Sequence, residues 1–66
     1  MVNSEKIKEL MQAKSLKSKE LALRVGVGET MMSYILNGLR EPNVATLVRI
    51  ARELGVTVDD LIVQAN

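Results

Sequence analysis

Apolar residues recur along this chain in three- and four-residue steps, and the steps are interrupted at Gly26, Asn37-Gly38, Pro42 and Gly55. That spacing predicts helices throughout. From about Ser4 to Lys14, Ile7, Leu10 and Met11 share one face, with Asn3 or Ser4 as N-cap. Leu16 then plugs the core from a short turn. A second helix covers about Ser18 to Val25 and a third about Glu29 to Asn37. Pro42 forbids helix continuity after the Asn37-Gly38 stop signal. Asn43 caps a fourth helix, in which Val44, Leu47, Ile50, Ala51 and Leu54 follow helical steps, and Gly55 closes it. Thr57 caps a fifth. There Asp59 and Asp60 occupy the first turn, where the helix dipole favours negative charge, and Val58, Leu61 and Ile62 turn inward. The expected class is all-α, with five helical segments in one compact domain over residues 1–66.

The second and third helices carry the most information. Leu21, Val25, Met32 and Ile35 line one inner face, and Ala22 is small enough for the two helices to pass close to each other. Gly26 ends the first of the pair, where a left-handed backbone is cheapest for glycine. A tight pair of this kind is the helix-turn-helix, whose second helix enters the DNA major groove. A plain helical hairpin is the bland alternative.

Size and composition narrow the options. At 66 residues the domain is near the size where only about 60% of the unfolded chain's surface is buried, so its core must be economical. It has neither Cys nor His, which excludes disulfides and makes a structural zinc site implausible. Aliphatic packing has to hold the fold. With no apolar run near the ~20 residues needed to cross a membrane and no signal-peptide layout, a cytoplasmic protein is expected. Net charge is only +1, yet residues 1–40 hold seven Lys or Arg against four acids and residues 41–66 hold two against four. The basic excess, at Lys14, Lys17, Lys19, Arg24 and Arg40, lies with the helix pair, as a DNA face requires. An ordinary solvated surface would also carry such charges.

The fragments IKEL, KELALRVGV, the NG after the third helix, Pro42, TLVRIARELGV and TVDDLI, in this order from about Lys6 to Ile62, resemble the lambda-repressor-like, Cro/CI-type helix-turn-helix family. The resemblance implies a five-helix bundle and a dimeric transcriptional repressor that reads an inverted-repeat operator. It also implies which residues touch DNA. The start of the second helix would meet a phosphate through Lys17, Ser18 and Lys19, although the family usually carries Gln where Ser18 stands. Lys17 occupies a common Thr or Ser cap position, which would leave Ser18 to cap and shift the helix start by one. Base reading would fall to Gly28, Glu29, Thr30, Ser33 and Tyr34. Glu29 can accept from cytosine N4, Thr30 can donate to a base or pack on a thymine methyl, and Tyr34 can reach base edge or backbone. As plain structural residues, Glu29 is a helix-start acid and Tyr34 a partly buried packing residue. Arg40 is the phosphate candidate after the third helix. Dimerisation is expected around Val56 and Val58.

Apolar residues stand where the family is polar, at Leu23, Met31, Leu36 and Leu39. Met11 and Leu36 replace an Arg and Glu pair common in the family, so a hydrophobic contact is expected between them. The other three are isolated surface residues or part of a protein-binding patch. Catalysis has little support, because Asp59 and Asp60 are adjacent and diverge and GVG at 26–28 is too short for a nucleotide loop. No cofactor or metal is expected. The alternatives to a DNA-binding regulator are a protein-interaction module that lost DNA binding and an antitoxin that binds both DNA and a protein partner.

Overall fold

Four α-helices and one 3₁₀ turn follow one another in the computed structural model, which describes residues 1–63: α1 (Ser4–Ala13), α2 (Ser18–Val25), α3 (Glu29–Leu36), α4 (Val44–Leu54) and the turn Asp59–Leu61. The starts of α1 and α4 are fixed by asparagine side chains. Asn3 Oδ1 accepts from the Lys6 amide at 3.1 Å and Asn43 Oδ1 from the Thr46 amide at 2.8 Å, each satisfying a first-turn donor that has no partner inside the helix. α2 and α4 end on Gly26 and Gly55, both in the left-handed region. The same region is occupied by Ser15 after α1, with φ 53°, and the Leu16 amide there bonds back to the Met11 carbonyl at 2.8 Å.

The core is aliphatic. Ile7, Leu21, Val25, Met32, Ile35, Ile50, Leu54 and Leu61 are fully buried, and no polar or charged side chain among the described residues is buried with them. Each such side chain contributes about 1.5–3 kcal/mol relative to exposure, so shape complementarity among a few residues specifies the packing. Met11 and Leu36, between which a hydrophobic contact is expected, are both buried members of the core. Leu10, Leu16, Leu47, Val56 and Val58 pack against it half-buried.

The expected fifth helix is not formed. Thr57 does cap the segment, its hydroxyl accepting from the Asp60 amide at 3.3 Å while the Asp60 carboxylate accepts from the Thr57 amide at 3.1 Å. The Thr57 amide, then its hydroxyl, and last the Lys6 charge hold the exposed Asp60 carboxyl below the usual carboxylate range. After Leu61, however, the chain turns extended, and Ile62 forms an antiparallel bridge with Val2. The Leu61 carbonyl accepts from the Asn3 amide and the Met1 carbonyl from the Val63 amide at 2.9 Å. Those backbone groups serve a strand-like pairing and cannot also continue a helix. Val44 shares the helical steps of Leu47, Ile50, Ala51 and Leu54, yet it is 77% exposed. Side chains lean towards the helix N-terminus, so a residue in the first turn overhangs the end of the packed face.

Candidate nucleic-acid interface

The helix pair is built as its glycine and apolar positions require. α2 packs on α3 and α4, with Leu21, Ala22 and Val25 buried on its inner face and Met32, Ile35 and Leu36 on that of α3. At the turn, Gly26 has φ 82°, and the amides of Gly26 and Val27 both bond to the Ala22 carbonyl, at 2.9 and 3.0 Å. Gly28 then caps α3 in an extended conformation that any residue can adopt.

Burying that inner face leaves a defined outer one. Glu29, Thr30, Ser33 and Tyr34, the four side chains expected to read bases, are all exposed, and their spacing puts them on one stripe of α3. Met31 borders the stripe at 37% exposure. The Asn37 side-chain amide donates to the Ser33 carbonyl at 2.9 Å and lies 3.5 Å from the Ser33 hydroxyl oxygen. The amides of Glu29, Thr30 and Met31 precede the first α3 bond, from the Met32 amide to the Gly28 carbonyl, so the positive end of the helix dipole lies at the start of this stripe.

The flanking cations are arranged differently from one another. Lys17, not Ser18, is the N-cap of α2, and the helix start is not shifted. A lysine side chain has no acceptor, so Glu20 reaches back to the Lys17 amide at 3.4 Å and the α2 first-turn amides stay uncapped. Lys17, Lys19 and Arg40 are exposed and have no ion-pair partner among the described residues, where the pairs are Lys8 with Glu5 and Arg24 with Glu53. Arg24 therefore pairs α2 with α4, at 3.6 Å, and is not a free cation beside the helix pair. Arg40 is steadied through its backbone, because the Leu39 and Arg40 amides both bond to the Tyr34 carbonyl, at 2.8 and 3.3 Å.

Two side chains that bond to distant backbone groups escaped the sequence. Arg49 of α4 donates from Nη1 to the Val25 carbonyl at 3.3 Å, satisfying one of the carbonyls left open at the end of α2 and joining the turn to the opposite helix. Glu41 accepts from the Val2 amide. Nothing in the spacing of either residue marks it, since both stand at polar positions that read as solvated surface. Val56 and Val58, expected at a dimer interface, are half-buried against the core of the subunit itself. No helix among the described residues is long and apolar enough to cross a membrane, and no cluster of metal-ligating side chains occurs among them.

Comparison with known proteins agrees with this geometry. A family model described as helix-turn-helix matches residues 7–61. The restriction-modification controller protein C.AhdI from Aeromonas hydrophila superposes with a TM-score of 0.82 over 89% of this chain and 89% of its own, at 22% identity, and so shares the fold. The N-terminal DNA binding domain of SinR from Bacillus subtilis superposes with a TM-score of 0.84 over 96% of this chain and 93% of its own, at 26% identity. A chain of the SinR protein/SinI protein complex gives a TM-score of 0.84 at 28% identity over 91% of this chain, which spans 59% of that one. No curated protein sequence matches.

Proposed function

Because the chain belongs to the Cro/CI-type helix-turn-helix family, we propose that it is a sequence-specific DNA-binding transcriptional regulator whose α3 reads the major groove. The observation that carries the reading is the outer stripe of α3: Glu29, Thr30, Ser33 and Tyr34 are all presented to solvent, and Lys17, Lys19 and Arg40 are exposed cations with no ion-pair partner among the described residues. In this reading Lys17, Ser18, Lys19 and Arg40 contact phosphates and fix the register, while Gly28 lets the backbone approach and the stripe reads base edges. The protein acts as a homodimer joined around Val56 and Val58, works in the cytoplasm, and represses by occluding a promoter. Two α3 helices related by a two-fold axis demand an inverted repeat with half-site centres ~34 Å, or about 10 base pairs, apart.

Selection of bound duplexes from a random pool, followed by a salt titration on the best site, tests the proposal. If Lys17, Lys19 and Arg40 each neutralise one phosphate per subunit, log K against log salt falls with a slope of about −5 for a dimer. A slope near zero, with no enriched sequence, would sink it. A second reading, a protein-interaction module or antitoxin on the same fold, is favoured by Leu23, Leu39 and Val44, which are 75%, 71% and 77% exposed. Co-purification of one partner that protects these three side chains supports that reading.

A further inference from the structure

Between Arg40 and Pro42 stands a carboxylate that electrostatics alone would place elsewhere. Pro42 confines the preceding residue to extended backbone, and from there the Glu41 side chain accepts the Val2 amide, Oε2 at 3.0 Å and Oε1 at 3.3 Å. Val2 is itself fixed. Its side chain is buried, it is bridged to Ile62, and the flanking Asn3 amide bonds to the carbonyl of the fully buried Leu61. The connection between α3 and α4 is therefore held at both ends: by the Tyr34 carbonyl, which takes the Leu39 and Arg40 amides, and by Glu41, which fastens it to the corner where residues 1–3 meet residues 61–63. Arg40 sits between the two fastenings.

We infer that Glu41 is a positioning residue, setting the place of Arg40 for its phosphate contact through the bond to Val2; the inference rests on the DNA-binding reading above. It makes a prediction opposite in sign to simple charge. A carboxylate one residue from a phosphate contact repels DNA, so its removal should tighten binding if charge is all that matters. If position matters, the outcome depends on whether the replacement can still accept a hydrogen bond. Glutamine keeps an acceptor and loses the charge, whereas alanine loses both.

The test measures E41Q, E41A and the unaltered protein on the selected duplex across a salt series, with amide hydrogen exchange of each protein free of DNA. The expected result is that E41Q binds as tightly as the unaltered protein or tighter, and E41A binds about tenfold more weakly than E41Q with a slope shallower by about 0.9 per subunit, the loss of one phosphate contact. In the free proteins, exchange at Val2, Leu39 and Arg40 should accelerate in E41A while Leu21 and Val25 of α2 stay protected. E41A binding as tightly as E41Q overturns the inference and leaves the DNA-binding reading standing. Unchanged exchange at Leu39 and Arg40 overturns it as well. Failure of the unaltered protein to bind any duplex overturns the reading and the inference together.

Discussion

Two glycines two residues apart in the turn should respond to substitution with opposite signs. Gly26 has φ 82°, a region that costs an L-residue about 1–2 kcal/mol. An added Cβ would lie 3.4 Å from Arg49 Nη1, the far end of a flexible side chain that can move aside, so backbone conformation sets most of the cost. The stiffer unfolded chain offsets about 0.5 kcal/mol, leaving Gly26→Ala about 1 kcal/mol less stable. For a chain of this size that lowers Tm by about 4–8 °C. Gly28 has φ −68° and ψ 152°, and nothing lies within 4 Å of a Cβ built on it. Gly28→Ser meets no obstacle and supplies a hydroxyl to the uncapped α3 amides, a gain of a few tenths of a kcal/mol, or about 1–3 °C. Thermal melts followed by far-ultraviolet circular dichroism measure both. DNA affinity then separates fold from contact: if the Gly28 backbone lies against DNA, Gly28→Ser binds more weakly although it melts higher. Equal melting of Gly26→Ala and the unaltered protein, or destabilisation by Gly28→Ser, would refute the turn geometry.

Leu36→Glu should cost about 1–3 kcal/mol by burying a carboxylate among apolar side chains, and adding Met11→Arg should recover much of it; additive melting shifts would show that the two side chains are uncoupled. The Asp60 carboxyl titrates below its unfolded value, so its charge contributes stability fully present above the unfolded pKa of about 3.9 and lost as pH falls through the lower folded pKa. Asp60→Asn should accordingly melt lower than the unaltered protein near neutrality, with the difference closing below about pH 4; a difference constant with pH would assign the effect to the amide and not the charge. Glu29→Ala should relax base preference at one or two positions of each half-site at about 1–3 kcal/mol for the best site, whereas uniformly tighter binding to every duplex would mean that Glu29 merely repels phosphate.

Local chemistry accounts for what was legible in the sequence. Asn3, Asn43, Gly26 and Gly55 act within one turn of their own position, and helical spacing identifies Leu21, Val25, Met32 and Ile35 because burial there is decided by the helix they stand on. Non-local pairing accounts for most of what was not. The segment after Thr57 has a cap and first-turn acids suited to a helix, but the Asn3 amide and the Met1 carbonyl take the Leu61 carbonyl and the Val63 amide, and it forms a single 3₁₀ turn. Arg49 and Glu41 serve backbone groups 24 and 39 residues away, distances over which spacing along the chain carries no information. The candidate interface was legible in its α3 stripe because exposure there is the complement of a predictable buried face. Which cations remain free was not, since the pairing of Arg24 with Glu53 depends on how α2 meets α4.

Tyr34 is the only aromatic ring in the chain, and it stands 41% exposed on the outer stripe of α3 while the core consists of aliphatic and thioether side chains. The optical consequence is a clean division of signals. Tyrosine emission and near-ultraviolet dichroism are blind to core packing and report the surroundings of α3, where a stacked base or a nearby phosphate alters them without any label. Backbone dichroism reports the helices. When both probes follow one melt without DNA, a two-state domain must give coincident transitions, and an earlier change at Tyr34 would locate the departure in α3 and its loop while the core remains folded.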